Sequence, residues 1–383
     1  LIGGATTSRI HTAVKINPNY KKDQAVYVTD ASRAVGVVSK LISDDGASYK
    51  SEIRESYKII AEKHLKAQQA KKRLTISTAR SKKHQIDWKH YTPPIPEFLG
   101  TKSFRNYDLA TLAEFIDWTP FFATWEMNGQ YPRILNDEKL GNAATSLFQD
   151  AQDMLAKMIE EKWVTAHGVI GFWPANSTGD DITLYEDETR KKERATLYTL
   201  RQQIARDNER ANAALADFIA PLETGVPDYI GGFAVTAGIG EEEKVKEFNA
   251  ANDDYSKIMV SALSDRLAEA FAEQMHMRVR REFWPYARNE TLSNQEIIAE
   301  KYQGIRPAPG YPAQPDHTEK ETLFNLLDAT KEAEIELTES YAMWPGSAVS
   351  GLYFSHPSSY YFGIGKIEKD QVEDYAKRKG WDL

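Results

Sequence analysis

A proline-rich stretch at residues 304–317 carries the groups of this chain that are best suited to holding a small molecule. Four of the sixteen prolines fall within it, and each fixes φ and removes a backbone donor, which predicts a stiff loop. Arg306 offers a planar guanidinium that suits a carboxylate. Ala308 has an isolated N–H between two prolines, Gly310 permits close approach to the main chain, and Tyr311 adds an aromatic face and a hydroxyl.

The residue pattern of this loop leaves two other interpretations open. A purely structural loop uses the same residue types, and residues 309–312 also fit a proline-rich ligand for another domain.

Nearby acidic residues are equally open to interpretation. Asp265 and Glu269 lie one turn apart on a predicted helix, and such a pair can raise one pKa, although it is more often a solvated edge. Glu300 precedes the loop and is placed to support Arg306.

The elements that must position these groups follow one another without regular alternation from about residue 91 onward. This pattern predicts an α+β domain with mixed helices and a largely antiparallel sheet. Helices are predicted at 108–116, 138–161, 241–280, 294–302, 319–331 and 369–379. Strands are predicted at 168–173, 181–186, 195–200, 229–236, 350–355 and 360–367. The helix at 241–280 has a continuous apolar stripe, which predicts that it lies in the core.

The first 66 residues follow a different pattern, which is typical of a parallel α/β sheet. Residues 1–2 and 25–28 are predicted strands, with helices after each and a further helix at 48–68. Gly3, Gly4 and Ala31 then lie at the carboxyl ends of strands, where open α/β sheets bind ligands. Glycines that merely make a turn are the other interpretation. Because the strands are too few for a complete sheet, we expect the chain to begin inside a domain.

Residues 71–90 are rich in Lys, Arg and His and poor in large apolar side chains. This composition predicts an exposed, solvated connection between two domains. A docking surface for an acidic electron carrier is the functional alternative, because a basic surface attracts an acidic partner.

Composition excludes several classes of function. The formal net charge of −8 over 383 residues argues against general nucleic-acid binding. No run of eighteen apolar residues occurs, so no membrane span is expected. The absence of cysteine excludes disulfides and thiolate chemistry in this chain and favours a cytoplasmic location. The eight histidines lack an HExxH spacing, and no bound metal is predicted.

The loop and six further motifs together closely resemble the C-terminal part of cobalamin-dependent methionine synthases. The loop match extends from Tyr302 to Pro312. The other motifs occur in the same order along the chain, at residues 1–8, 116–122, 131–135, 254–260, 266–271 and 342–346. The resemblance therefore covers nearly the whole chain. It departs from the family at Gln314, where a cysteine is usual.

The resemblance implies a binding site for S-adenosylmethionine in the family's reactivation domain. Arg306 matches the residue that meets the methionine carboxylate of the ligand. Asp117 matches an acidic residue that meets the ligand's polar end, although a helix cap is the other interpretation of this position.

The remaining implied contacts involve the adenine and the sulfonium. Ala308 would use its N–H and C=O on the adenine edge, with Gly310 and Tyr311 beside it in the loop. Tyr360 and Tyr361 match an aromatic pair at the site, and an aromatic face near a cation is favourable. Their alternation on a predicted strand also fits core residues.

The resemblance also implies a division of the chain and a second cofactor. Residues 1–66 would be the C-terminal fragment of the cobalamin-binding domain, and residues 67–383 the reactivation domain. Gly3, Gly4 and Ala31 match positions that line the nucleotide tail of cobalamin. The histidine that ligates cobalt would lie outside this chain, as would the homocysteine domain with its zinc.

The activity implied is methyl transfer from methyltetrahydrofolate to homocysteine through cobalamin. This part of the enzyme would restore oxidised cobalamin by presenting the methyl group of S-adenosylmethionine after a one-electron reduction, and alone it is expected not to catalyse the overall reaction. Flavodoxin or an equivalent reductase and the upstream domains are the implied partners. The alternative is an interaction module that binds S-adenosylmethionine or flavodoxin and takes no part in methyl transfer.

Overall fold

The computed structural model describes residues 1–3, 7–28, 31–69, 73–205 and 210–382 of the chain. These residues separate into two compact units. Leu1–Leu74 form most of the first unit, and Thr75–Gln203 together with the described residues from 210 onward form the second.

The described residues of the first unit form helices and two isolated bridges, one parallel and one, between Arg73 and Ile204, antiparallel. Ile2 and Tyr27 form a parallel bridge, in which the Ile2 N–H donates to the Val26 carbonyl at 2.9 Å and the Val28 N–H donates to the Ile2 carbonyl at 2.8 Å. The helical segments are α1 (Arg9–His11), a π-helical turn (Thr12–Ile16), a 3-10 turn (Asn17–Asn19), α2 (Ala31–Ile42) and α3 (Gly46–Gln69). Within the described residues the two predicted strands therefore meet only in this bridge, and the cobalamin-domain fragment stays a prediction.

The second unit is built on a six-stranded sheet. The strands of this unit are β1 (Gly100–Phe104), β2 (Thr165–Thr178), β3 (Asp181–Tyr185), β4 (Glu193–Tyr198), β5 (Asp228–Ile239), β6 (Glu336–Leu337), β7 (Met343–Trp344) and β8 (Ala348–Tyr353). The order in the large sheet is β4-β3-β2-β5-β8, with β1 also paired to β2, while β6 and β7 form a separate pair. All of these strand pairings are antiparallel. The predicted α+β class with a largely antiparallel sheet is confirmed.

One buried helix forms the centre of the core of this unit. The helices are α4 (Ile76–Ser81), α5 (Leu109–Ala113), α6 (Thr119–Thr124), α7 (Gly141–Glu160), α8 (Glu241–Ala250), α9 (Asp254–Arg278), α10 (Asn294–Ile298), α11 (Glu319–Leu327), α12 (Ala329–Ala333) and α13 (Lys369–Lys379). Helix α9 packs against β5 and β8 and against α5, α6 and α7. Its side chains at Leu263, Leu267 and Phe271 are fully buried, as the predicted apolar stripe requires.

Two predicted helices are each divided in two by a residue with positive φ. Asn252, at φ +56°, ends the first half of the predicted helix 241–280, and Asp253 then caps α9 by accepting a hydrogen bond from the Ser256 N–H at 3.0 Å. Asp328, at φ +51°, separates α11 from α12. The apolar periodicity continues across both breaks, so hydrophobic spacing alone could not locate them.

The strand predicted at 360–367 is wrong. These residues have no regular secondary structure, and Gly365 has φ +68°. The aromatic alternation has another cause, because the rings of Tyr360 and Phe362 pack against Phe218 at centroid distances of 5.4 and 6.1 Å. Strand β1 was not predicted, since its central residues are polar and exposed.

The basic segment at 71–90 is not the solvated connection that its composition predicts. Residues 71 and 72 lie outside the described residues, but from residue 75 the segment packs into the second unit, where Ile76, Ala79 and Trp88 are buried. Arg80 donates from Nε to Asp180 at 2.8 Å and from Nη2 to Asp374 at 2.6 Å. Its charge is thus satisfied by carboxylates that are distant in the sequence.

Across the described part of the chain, no helix is both long enough and apolar enough to cross a membrane.

Candidate functional site

Main-chain hydrogen bonds hold the first half of the 304–317 loop beside β8. Ile305 and Phe354 exchange two N–H···O bonds of 3.0 Å each, and the Leu352 N–H donates to the Pro307 carbonyl at 2.8 Å. Gly304 has φ +83°, and a Cβ there would lie 2.5 Å from the Phe354 carbonyl oxygen. The loop is therefore pinned to the sheet even though its prolines supply no donors.

The second half of the loop closes on itself. The Gly310 N–H donates to the Gln314 carbonyl at 2.7 Å, and the Tyr311 N–H donates to the Ala308 carbonyl at 3.2 Å. Gly310 has φ +92°, and a Cβ there would lie 2.6 Å from Cε1 of His317. Glycine is thus required here by backbone conformation and by packing against His317, which differs from the predicted reason, access for a ligand.

A cleft of about 490 Å³ opens beside the loop. Of the residues predicted to bind S-adenosylmethionine, Arg306, Ala308, Tyr311 and Tyr361 line it. Glu269 and Glu300, which the sequence marked only as carboxylates of uncertain role, line it as well, together with Phe233, Val349 and Ser350 from the sheet. The structure therefore brings one arginine, two carboxylates and two tyrosines to a single concave surface.

Arg306 is the charged centre of this cleft. Its Nη2 donates to Glu273 Oε2 at 2.6 Å, and its main-chain N–H donates to the Tyr361 hydroxyl oxygen at 3.0 Å. Burial opposes the charge, but Glu273 together with the neighbouring Tyr302, Tyr361 and Glu269 outweighs this effect and raises the pKa of Arg306, so the guanidinium stays cationic. Burial raises the pKa of Glu273. Nε of Arg306 is buried and has no hydrogen-bond partner among the described residues.

Helix α9 presents its carboxylates to two different surroundings. Asp265 Oδ1 accepts a hydrogen bond from Ser347 Oγ at 2.9 Å, whereas Glu269 lines the cleft and Glu273 pairs with Arg306. Asp265 and Glu269, which the sequence suggested as a pair, therefore lie in two different surroundings. Sequence reasoning missed Glu273, although the spacing of four residues between successive carboxylates along one helix was a usable signal.

The two consecutive tyrosines of the predicted aromatic pair have different neighbours. Tyr361 lines the cleft, and its hydroxyl lies 3.4 Å from that of Tyr302. The ring of Tyr360 instead contacts those of His84 and Phe218, at centroid distances of 5.5 and 5.4 Å. Within the part of the chain that the structure describes, Tyr360 does not line the cleft.

Asp117 lies at the start of α6, and among the described residues it is not part of the cleft lining. Its Oδ1 accepts a hydrogen bond from the Thr119 N–H at 2.9 Å. This contact fits the interpretation of Asp117 as a residue that satisfies a free N–H at the beginning of a helix. The predicted role at the ligand's polar end stays a prediction.

The three residues predicted to contact cobalamin belong to the first unit. A Cβ on Gly3 would lie 2.4 Å from the Val28 carbonyl oxygen, so close packing of two backbone segments explains this glycine. Ala31 is the first residue of α2. Gly4 lies outside the described residues.

Ser350 is a polar residue of the cleft that the sequence did not indicate. It lies on β8 and is 3% exposed, and its Oγ has no hydrogen-bond partner among the described residues. Ser350 and Arg306 both line the cleft, and each thus has a buried polar atom without a hydrogen-bond partner among the described residues. Such atoms are costly unless a ligand or water satisfies them, which is the property expected of a binding site.

Known proteins resemble this chain both in family pattern and in solved structure. The family model described as the vitamin B12 dependent methionine synthase activation domain matches residues 108–380. The chain is also similar to the MetH reactivation domain, whose crystal structure was determined bound to AdoHcy. The sequence identity is 54% and the TM-score is 0.79, and the match covers 81% of this chain and 95% of that one.

Proposed function

The chain belongs to the family of activation domains of vitamin B12-dependent methionine synthases, and on this premise we propose that its cleft binds S-adenosylmethionine and presents the methyl group to reduced cobalamin. Membership of this family means that the chain is the reactivation part of a methyltransferase. The similar MetH domain is bound to AdoHcy, which is the molecule that remains when S-adenosylmethionine has lost its methyl group.

The observation that carries the proposal is the arginine in the cleft. Arg306 donates to Glu273 through one terminal nitrogen, and its buried Nε has no hydrogen-bond partner among the described residues. A ligand carboxylate would supply the missing acceptor and would add a charge-assisted hydrogen bond. S-adenosylmethionine has such a carboxylate, and it also has an ammonium group and a sulfonium cation that the carboxylates of Glu269 and Glu300 would favour.

The loop backbone and the tyrosines suit the rest of the ligand. The Ala308 carbonyl accepts a hydrogen bond from Tyr311, and the Ala308 N–H has no hydrogen-bond partner among the described residues, so this residue can meet an adenine edge. Tyr311 is 61% exposed and lines the cleft, and the ring of Tyr361 is held by the hydrogen bond that its hydroxyl accepts from the Arg306 main-chain N–H. Aromatic faces beside a sulfonium contribute roughly 0.5–2 kcal/mol.

In the reaction, this chain would position the methyl donor. The methyl group of a sulfonium is already activated for transfer, and reduced cobalamin, when bound, supplies the nucleophile. Transfer of this methyl group would leave the electron pair of the carbon–sulfur bond on sulfur, so no protein acid or base would be needed. Arg306, Ala308 and Tyr361 would hold the donor in a fixed orientation. Holding a reactant in the right geometry lowers the barrier to the reaction.

Calorimetric titration with S-adenosylmethionine tests this proposal. We expect one site per chain and weaker binding of adenosine, which has the base but lacks the carboxylate and the sulfonium. Absence of binding at millimolar ligand would contradict the proposal.

Transfer of label from methyl-labelled S-adenosylmethionine to cobalamin, under reducing conditions in the full enzyme, tests the methyl-donor role.

We predict that Asp117→Asn weakens S-adenosylmethionine binding roughly threefold to tenfold, because the carboxylate would form an ion pair with the ligand's ammonium group. The amide oxygen of asparagine can still accept the Thr119 N–H bond, so the melting temperature without ligand should not change. Calorimetry and thermal unfolding measure the two effects separately. Unchanged affinity would leave Asp117 with its role at the start of α6 alone.

A second proposal concerns docking of the electron donor at the 71–90 segment. Lys82 and Lys89 are exposed, and Lys89 borders a cleft of about 610 Å³ lined by Trp88, Tyr91 and Ile95. Exposed lysines beside aromatic and apolar side chains suit an acidic flavoprotein such as flavodoxin. This surface would bind the partner independently of methyl transfer, as the interaction-module alternative requires.

If this surface docks an acidic flavoprotein, we predict that the association weakens as salt rises from about 0.1 to 1 M, over which the screening length falls from about 10 to about 3 Å. The double variant Lys82→Glu, Lys89→Glu should weaken it further at low salt. Lys191→Glu changes the charge at an exposed position of the β3–β4 connection and serves as the control. Binding that does not depend on salt, or an equal effect of the control, would count against this surface.

A further inference from the structure

The last lysine of α13 has its ammonium group buried inside the protein. The side chain of Lys379 is 8% exposed, and its Nζ donates to Asp316 Oδ2 at 2.8 Å, to Thr318 Oγ1 at 2.7 Å and to Glu319 Oε1 at 2.6 Å. All three ammonium hydrogens therefore have an acceptor. The rings of Trp381, Tyr375 and Tyr198 lie around it, with centroids 4.3, 5.3 and 5.7 Å from Nζ.

The acceptors of Lys379 lie at the end of the loop that lines the cleft and in the two residues that follow it. Asp316 is two residues after Gln314, whose carbonyl accepts the Gly310 N–H and whose side chain donates to the Tyr198 carbonyl at 2.5 Å. Glu319 Oε2 accepts the Tyr198 N–H at 2.9 Å. Lys379 thus closes a set of contacts that fixes the end of the loop on β4.

The carboxylates in this set depend on the lysine. Glu319 and Asp316 have side chains that are only 2% and 14% exposed, and among the described residues Lys379 is the cation that pairs with both of them. Removing one partner of a buried ion pair leaves an uncompensated charge, which is strongly unfavourable. Without the lysine, the loop end would have to move so that these carboxylates reach water.

The docking of α13 itself does not depend on Lys379. Arg378 pairs with Asp181 and Asp374, and Arg80 also pairs with Asp374. At the other end of the helix, the Ile76 N–H donates to Asp370 at 2.6 Å. Loss of the lysine should therefore release the loop and leave the helix in place.

We propose that Lys379 is a positioning residue for the 304–317 loop. The affinity of the cleft for S-adenosylmethionine then depends on a side chain of α13 that does not touch the ligand. This inference rests on the proposed function of the cleft. Because coupling between two sites is reciprocal, ligand binding in the cleft should in turn slow amide exchange at the Lys379 end of α13.

The test compares Lys379→Met with Arg378→Met, which removes another cation from the same helix. The Arg378 side chain is 18% exposed, and among the described residues it contacts none of the loop. We expect Lys379→Met to weaken S-adenosylmethionine binding on the order of tenfold and Arg378→Met by less than about twofold. Lys379→Arg, which keeps the charge, should recover part of the affinity. Amide exchange without ligand should rise at residues 308–318 in Lys379→Met alone.

The outcomes separate the inference from the proposed function. Equal losses of affinity in Lys379→Met and Arg378→Met would show a general effect of stability and would overturn the inference, as would unchanged affinity and exchange in Lys379→Met. If the unmodified chain does not bind S-adenosylmethionine, the proposed function fails. The exchange measurement on the ligand-free proteins still decides whether Lys379 holds the loop.

Discussion

Replacing Arg306 with alanine is expected to weaken S-adenosylmethionine binding roughly tenfold to 150-fold, because a hydrogen bond between charged groups contributes about 1.5–3 kcal/mol. The effect is large because the arginine is the cationic side chain in the cleft lining and most of its surface is already removed from water. Calorimetric titration of the variant measures the change directly. Unchanged affinity would remove Arg306 from the site.

The same substitution leaves Glu273 buried without its partner, so a loss of stability must be separated from a loss of binding. The double variant Arg306→Ala, Glu273→Gln removes the uncompensated charge and should recover stability but not affinity. Arg288→Ala is a control, because Arg288 pairs with Glu97 at the surface with 67% of its side chain exposed. Recovery of affinity in the double variant would mean that Arg306 acts on the fold rather than on the ligand.

Replacing Arg201 with methionine is expected to lower the free energy of unfolding by about 3–5 kcal/mol, the usual cost of breaking a buried ion pair. Arg201 is 1% exposed and donates to Asp180 Oδ1 at 2.8 Å, to both carboxylate oxygens of Asp217 at 2.7 and 2.8 Å, and to the Asn212 carbonyl at 2.7 Å. Its loss leaves carboxylates in the interior that water cannot reach.

Denaturant unfolding of Arg201→Met measures this effect, with Arg194→Met as the control, because Arg194 is exposed on β4. A background of Asp180→Asn and Asp217→Asn should make the Arg201 substitution less damaging, since the buried charges are then removed together. A loss below about 1 kcal/mol in Arg201→Met would mean that the interior of this region is open to solvent.

Sequence patterns predict most of the second unit's framework because its elements follow from local periodicity. The apolar stripe on α9 and the buried runs of β2 and β5 match the burial in the structure. The proline-rich loop was also recognisable, since four prolines close together lack the N–H donors that regular strand pairing needs. These features depend on residues close together in the chain.

The composition of the cleft could not be predicted to the same extent, because tertiary packing brings its members together. Glu273 reaches Arg306 across 33 positions of sequence, and Ser350 enters from β8. Tyr360 and Tyr361 were assigned together from a motif, yet Tyr360 packs on Phe218 whereas Tyr361 lines the cleft. The charge of Arg80 suggested an exposed segment, and only the fold shows that Asp180 and Asp374 satisfy it.

A crystal structure of this protein with S-adenosylmethionine would test the central claim most directly. The account predicts that the ligand lies in the cleft, with a carboxylate oxygen within hydrogen-bond distance of Arg306 and the adenine edge at the main chain of Ala308. The Glu273 contact to the other side of the guanidinium should be retained. Ligand bound elsewhere, or in the cleft with its carboxylate away from Arg306, would contradict the account.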